Sequence, residues 1–415
     1  MNKQVIWTKG HKIKDFFLFP RGERGDDYVN LIGQIGFIKY YEDVIDPSIH
    51  VEITVVDAFG IINQAPVRSG SEVSLKLEHP SQEDQIELEL IVTNIVGHLI
   101  DQKREVYTLI CETIGALSNH TTRVTKKYTG NITASVEKIM SETLKQKLND
   151  PVDKTSNTLE FYGNYRRPFK VIADLCRKSI FRADGAKKGD EGSAGFLFWE
   201  SQDGYNFRSI DSIFSKESKD TYSMTPFKGG LDVENNFMLA SEPKIRESHD
   251  IIKKLRSGTY STANWYYDVL TRKVTFHNFN YNKHIVKANE EVPIYDGPYS
   301  RIMLSTLDQG TTNPDADGVD TLTPQKQAEF QAQSSARYSA LFSQIIDITV
   351  PMNVSLRAGD ILDLEFPNIN TDKKTEKNSP ESGKYMIARL SHEFGNPDGD
   401  FTGLSLVRDS FTPHE

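Results

Sequence analysis

Cysteine is almost absent from this chain: its 415 residues include two, Cys111 and Cys176. Two thiols build no disulfide framework, and their spacing matches no metal or redox motif, which leaves buried free thiols as the reading. Long apolar runs are missing as well. Phe16 to Phe19 is among the longest, far below the ~20 residues that a membrane-spanning helix needs. No apolar stretch follows Met1-Asn2-Lys3-Gln4, so no signal peptide is predicted. Nor is there a basic surplus: 49 Lys and Arg stand against 58 Asp and Glu, a net charge of −9. That balance argues against a surface that neutralises phosphates, though not against nucleic acid passing nearby.

The familiar catalytic signatures are lacking too. Gly192-Ser193-Ala194-Gly195 has the wrong spacing for a nucleophile elbow. There is no phosphate-cradling lysine loop and no dinucleotide fingerprint. His392-Glu393 has no second histidine four residues on, as a zinc-protease helix requires. His277 and His284 lie near each other, and the remaining histidines are scattered, which favours structural roles. Acidic residues are plentiful, but nothing singles out one pair for glycoside hydrolysis. We assign no catalytic residue and no cofactor. One loop offers a weak calcium candidate: Asn313, Asp315 and Asp317 place oxygens at alternate positions before Gly318. Pro324 stands where a bidentate Glu is expected, so the competing reading is a solvated Asx-rich turn.

What is present is aromatic and patterned. Seventeen Tyr and 22 Phe are far more than a disordered chain carries, and this length calls for two to three domains. Residues 1–130 read as β. Period-two alternation recurs in Val51 to Val56, Val73 to Leu77, Ile86 to Val92 and Val106 to Glu112. Helical spacing appears from Val136 to Leu148 and from Pro168 to Ile180, with a short helix expected at Ser248 to Leu255. Gly195 to Glu200 reads as a fully buried strand, and 264–279 as a hairpin. Pro324 suits the first turn of a helix running to Ser343. Strands return at Ile346 to Val350, Ile361 to Phe366, Lys384 to Ser391 and Phe401 to Val407. The two β ends look alike. Ile53-Thr54-Val55, Gly70, the alternating Val73, Leu75 and Leu77, and Pro80 match Ile348-Thr349-Val350, Gly359, Leu362, Leu364 and Phe366, and Pro367. A duplicated barrel and convergent strand grammar both account for the match.

Four blocks then carry a resemblance. The first runs from Ala194-Gly195-Phe196-Leu197-Phe198-Trp199-Glu200 through Asp203-Gly204-Tyr205-Asn206-Phe207 to Asp211. The second joins Ile252 to Tyr260 with Tyr266 to Lys273. Ala336-Arg337-Tyr338, Ile348-Thr349-Val350-Pro351 and Leu356-Arg357-Ala358-Gly359-Asp360 make the third. Ser382 to Phe394 and Phe401 to Ser410 make the fourth. In order, and over about half the chain, these blocks resemble the central baseplate hub family of contractile-tailed bacteriophages, which is related to the hub module of VgrG-type secretion spikes.

The resemblance implies an α+β, β-rich chain. Two similar antiparallel β-barrel tube domains, 1–130 and 331–415, would flank a mixed α/β region, 131–330, with part of 225–262 returning to the first barrel. It further implies a non-enzymatic virion protein, assembled in the bacterial host cytoplasm and placed in the tail baseplate. Three copies would form a ring of six barrels joining the hexameric tail tube to a trimeric central spike. Besides itself, the expected partners are the spike protein, tail tube or tube-initiator proteins, the tape-measure protein and baseplate wedge proteins. DNA would pass through without specific binding. Glu87, Glu89, Asp363 and Glu365 are the candidate channel-lining residues. Two readings compete with it: the hub module of a secretion-type spike, and a carbohydrate-active enzyme or binding module.

If 313–320 is a plain turn, replacing both Asp315 and Asp317 by Ala changes stability by no more than about 0.5 kcal/mol. A calcium-dependent rise in melting temperature that the double variant loses would contradict this.

Overall fold

The computed structural model describes residues 12–20, 28–65, 67–78, 84–101, 103–182, 192–223, 236–238, 243–248, 250–268, 272–281, 298–307, 324–366, 381–395 and 399–408. The first region holds β1 (Lys12–Phe19), β2 (Val29–Asn30), β3 (Ile35–Asp43), β4 (His50–Asp57), α1 (Ile61–Gln64), β5 (Glu72–Glu78), β6 (Gln85–Ile100), β7 (Glu105–Thr113) and α2 (Ile114–Thr121). Next come β8 (Lys127–Tyr128), α3 (Ile132–Lys138) running into a π-helical turn Ile139–Leu144, β9 (Phe161–Tyr162) and α4 (Pro168–Cys176). The pairs β10 (Ile180–Phe181) with β11 (Ser193–Ala194) and β12 (Phe196–Ser201) with β13 (Gly204–Ser209) precede α5 (Ile210–Phe214). Then follow β14 (Asp220–Ser223), β15 (Asn236–Met238), β16 (Lys244–Ser248), α6 (Ile251–Ser257), β17 (Ser261–Asp268), β18 (Val274–Asn280) and β19 (Arg301–Leu307). Last are α7 (Pro324–Leu341), β20 (Gln344–Pro351), β21 (Ile361–Glu365), β22 (Gly383–Phe394) and β23 (Phe401–Arg408).

Alternation decides which strand faces go inward. Val51, Ile53 and Val55 of β4 are buried while their neighbours are only half-buried, and Ile346, Ile348 and Val350 of β20 repeat the pattern. The two β ends also share one ladder. β4 pairs β7, β7 pairs β6 and β6 pairs β5; in the same order β20 pairs β23, β23 pairs β22 and β22 pairs β21. β3 flanks β4 as β16 flanks β20, and β1 flanks β5 as β14 flanks β21, the last pair being parallel where its counterpart is antiparallel. Of the middle stretch 225–262, β16 thus pairs with the second unit.

Among the described residues the expected pair of closed barrels is not seen; both units belong to one open sheet of 14 strands. One long strand joins the units. β22 has 12 residues, and β21 pairs only with Gly383 to Met386. Beyond that point the same edge takes β3, from Arg389 opposite Asp43 to Phe394 opposite Ile38. That pairing joins the units and takes the outer edge of β3, the end strand of the first unit. A single core cluster then runs across both, from Phe16 and Leu18 through Tyr385 to Leu406.

A smaller mixed region packs beside the sheet, and its central piece is the hairpin β12–β13. Every residue of β12 is buried, because both of its faces meet a core. Phe196 and Phe198 point into the cluster of α3, α4 and Phe207, while Leu197 and Trp199 point at Ala358, Ile361, Met386 and Val407 of the second β unit. That double burial is why the segment reads as a continuous apolar run rather than an alternating one. Trp199 Nε1 donates to the Ala358 carbonyl at 3.0 Å. Gly359, at φ +86°, lies against the ring, where an added Cβ would come 2.4 Å from Cζ2.

Gly359→Ala therefore both strains the backbone and collides with a buried indole, and we expect a loss of more than about 2 kcal/mol. A denaturant midpoint within error of the wild type would show that the loop holds no such contact.

Candidate functional site

Three of the four quoted sequence blocks, far apart in the chain, meet around the β12–β13 hairpin. Arg337 of α7 donates from Nη1 to Asp211 Oδ2 at 2.8 Å and to the Ala194 carbonyl at 2.9 Å. The Phe196 N–H donates to the Tyr338 hydroxyl at 3.2 Å, and that hydroxyl donates to the Phe196 carbonyl. Tyr266 to Asp268 of the second block sit apart from the junction, in the small sheet β18-β17-β19 that packs on α7.

Two buried carboxylates tie the hairpin to both β units. Glu42, on β3, is 2% exposed. It accepts from the Tyr40 hydroxyl at 2.5 Å, from the Gln202 N–H in the hairpin turn at 2.9 Å, and from the Ala358 N–H of the second unit at 2.6 Å. Glu200, on β12, reaches the other way, accepting from the Ile49 N–H at 3.1 Å and the Thr113 hydroxyl at 2.7 Å. Removal from water pushes both up, Glu200 to about 7; Tyr40, Arg357 and the two N–H donors partly offset this for Glu42, as Thr113 and Ile49 do for Glu200. His392 stacks on Tyr40 at 5.7 Å and shares a 2.9 Å hydrogen bond with Thr402. Burial drives it down to about 3, so it is a neutral packing residue.

Glu200 lies in the first of the quoted blocks, but no motif marks it or Glu42 as a buried carboxylate. Their signal was local: a carboxylate at an inward position of an alternating strand, and another within an apolar run. The candidate channel residues lie elsewhere. Glu87 and Glu89 project from β6 away from the core, Glu87 paired with Lys76 and Glu89 accepting from Ser74 at 3.1 Å. Asp363 and Glu365 of β21 point to the same side of the sheet relative to the core, Asp363 accepting from the Ser218 hydroxyl. β7, β4, β3 and β22 separate the two pairs, so they share a face without forming a cluster. Glu52, Glu112 and Glu393 join them on that face, with Lys39 3.4 Å from Glu393 and Arg389 2.6 Å from Asp43. Asn313, Asp315, Asp317 and His284 lie outside the described residues. Among the described residues no group of three or more His, Cys, Asp or Glu is placed to hold a metal ion.

No family model matches the chain. A protein of Vibrio phage KVP40 described as a probable baseplate hub protein is 21% identical over 273 residues, spanning 60% of this chain and 59% of that protein. Among solved structures, a tail protein from Neisseria meningitidis MC58 superposes with a TM-score of 0.57 at 9% identity, covering 96% of this chain and 97% of that one. The 43 kDa tail protein of prophage MuSo2 from Shewanella oneidensis gives 0.55 at 10% identity, covering 97% and 100%. At such identities the likeness to the solved structures is one of fold.

The junction has a pH signature. Glu200 is raised from an ordinary 4.5 to about 7, so protonation favours the folded state: its contribution is complete below about pH 4.5 and is lost as pH rises through 7. Glu200→Gln keeps an acceptor for Thr113 and Ile49 without the titration. We expect unfolding free energies at pH 5 and pH 8.5 to converge in the variant by about 3 kcal/mol relative to wild type. An unchanged difference would mean the carboxylate is solvated.

Proposed function

We propose that this chain, whose relatives are phage baseplate hub and tail proteins, is a non-enzymatic structural subunit of a trimeric baseplate hub. The observation that carries the reading is the repeated ladder: β3-β4-β7-β6-β5-β1 and β16-β20-β23-β22-β21-β14 are two versions of one unit in one chain. Three such chains present six similar units, which is what matching a sixfold tube to a threefold spike demands. The seam between β3 and β22 suits that task, since it fixes the angle between neighbouring units within a chain.

On this reading the face bearing Glu87, Glu89, Asp363 and Glu365 lines the bore. Its carboxylates outnumber its cations, and such a wall repels a phosphate backbone weakly instead of holding it by counterion release. Genome and tape-measure protein then slide through without specific binding. The spike, the tube or its initiator, and the wedge proteins dock at the two rims and the outer wall, and the protein resides in the virion tail.

Native mass spectrometry at micromolar concentration, with the spike protein present, is expected to show three copies of the chain. A persistent monomer or dimer contradicts the hub reading. In a structure of the assembled ring, side chains lining the bore should carry a net negative charge; a net positive count defeats the sliding argument.

A further inference from the structure

A cavity of about 210 Å3 opens between α7 and the inner face of the small sheet β18-β17-β19. Parallel pairing sets Thr262 opposite Arg301 and Asn264 opposite Met303, and the period of two turns all four toward the helix. Ser335 of α7 completes the wall from the other side. Gly258, which ends α6 at φ +74°, permits the close approach: a Cβ there would lie 2.3 Å from Thr262 Oγ1 and 3.0 Å from Arg301 Cβ.

The wall's hydrogen-bonding capacity is unevenly spent. Asn264 is 3% exposed, yet its carboxamide makes a single long bond, 3.4 Å from Nδ2 to the Thr262 carbonyl. Leaving a buried amide so poorly matched is costly unless something in the cavity meets it. Arg301 gives one N–H to the Ser257 carbonyl at 2.9 Å, and a guanidinium has four more. Among the described residues no Asp or Glu lines the cavity to neutralise it. Thr262 and Ser335 already donate their hydroxyl protons, to the carbonyls of Gly258 and Gln331, so toward the cavity they offer lone pairs. Arg301 is exposed at the cavity's edge, and an occupant that accepts from Arg301 and Asn264, carries negative charge and donates to hydroxyl oxygens fits this wall.

We propose that this cavity binds a small oxyanion bearing hydroxyl groups, its charged end at Arg301 and Asn264 and its hydroxyls at Thr262 and Ser335. The charged end is a phosphate or a carboxylate, and two probes separate them. Isothermal titration of the full chain with glycerol 3-phosphate and with glycerate should give saturable binding for at least one, and none for uncharged glycerol. Arg301→Met and Asn264→Leu should weaken it roughly tenfold or more. Ser335 is exposed on α7, so Ser335→Met fills the cavity mouth without touching the core and should weaken binding while circular dichroism stays unchanged. Absence of binding by both anions, or equal binding by wild type and Ser335→Met, overturns the proposal.

Discussion

Glu42 is the interaction on which the arrangement of the parts rests. A carboxylate taken out of water is expensive unless its lone pairs are met, and this one is met by three donors from three places: its own strand, the turn of the β12–β13 hairpin, and the loop before β21. Moving any of those elements leaves a buried charge short of partners. Glu200 repeats the device in the opposite direction, from the hairpin to the first β unit. The apolar contacts around Trp199 supply area, but area is non-directional. It is the carboxylates that fix which loop meets which strand.

This explains why three of the four motif blocks are spread along the chain yet converge in space. Ala194 to Asp211 forms the hairpin and α5, Ala336 to Tyr338 holds it from α7, and Leu356 to Asp360 covers its tryptophan. Ser382 to Phe394 is β22, the strand of the seam. What they hold in common is geometry: the hairpin wedges between a mixed core and the second β unit while β22 carries the first unit on its edge. On the proposed hub reading, presenting two similar surfaces at a set angle needs that kind of joint.

Much of this was legible in the sequence, and the illegible part has a physical cause. One-sided burial leaves period two in β4, β5, β20 and β21, so these strands and their likeness were readable. β12 was readable as a buried strand because both of its faces are covered. α3 begins at Ile132 rather than Val136 because Asn131 caps it, its Oδ1 accepting from the Thr133 N–H at 2.9 Å. Closure was not readable. Here β22, with 12 residues against five in β21, pairs on one edge with both β21 and β3, and alternation says nothing about edges. The same limit applies to the faces bearing Glu87 and Asp363: alternation shows that they turn from the core, and only assembly decides what they turn toward.

The claim that buried carboxylates lock the two β units together is tested most directly by hydrogen exchange at the seam. Amides in 38–43 and 389–394 should exchange slowly in the wild type, as interior ladder amides do. In Glu42→Ala they should lose protection together, while those of 73–77 and 86–90, within the first unit, stay protected. Fast exchange at the wild-type seam, or a seam untouched by the substitution, would contradict the account.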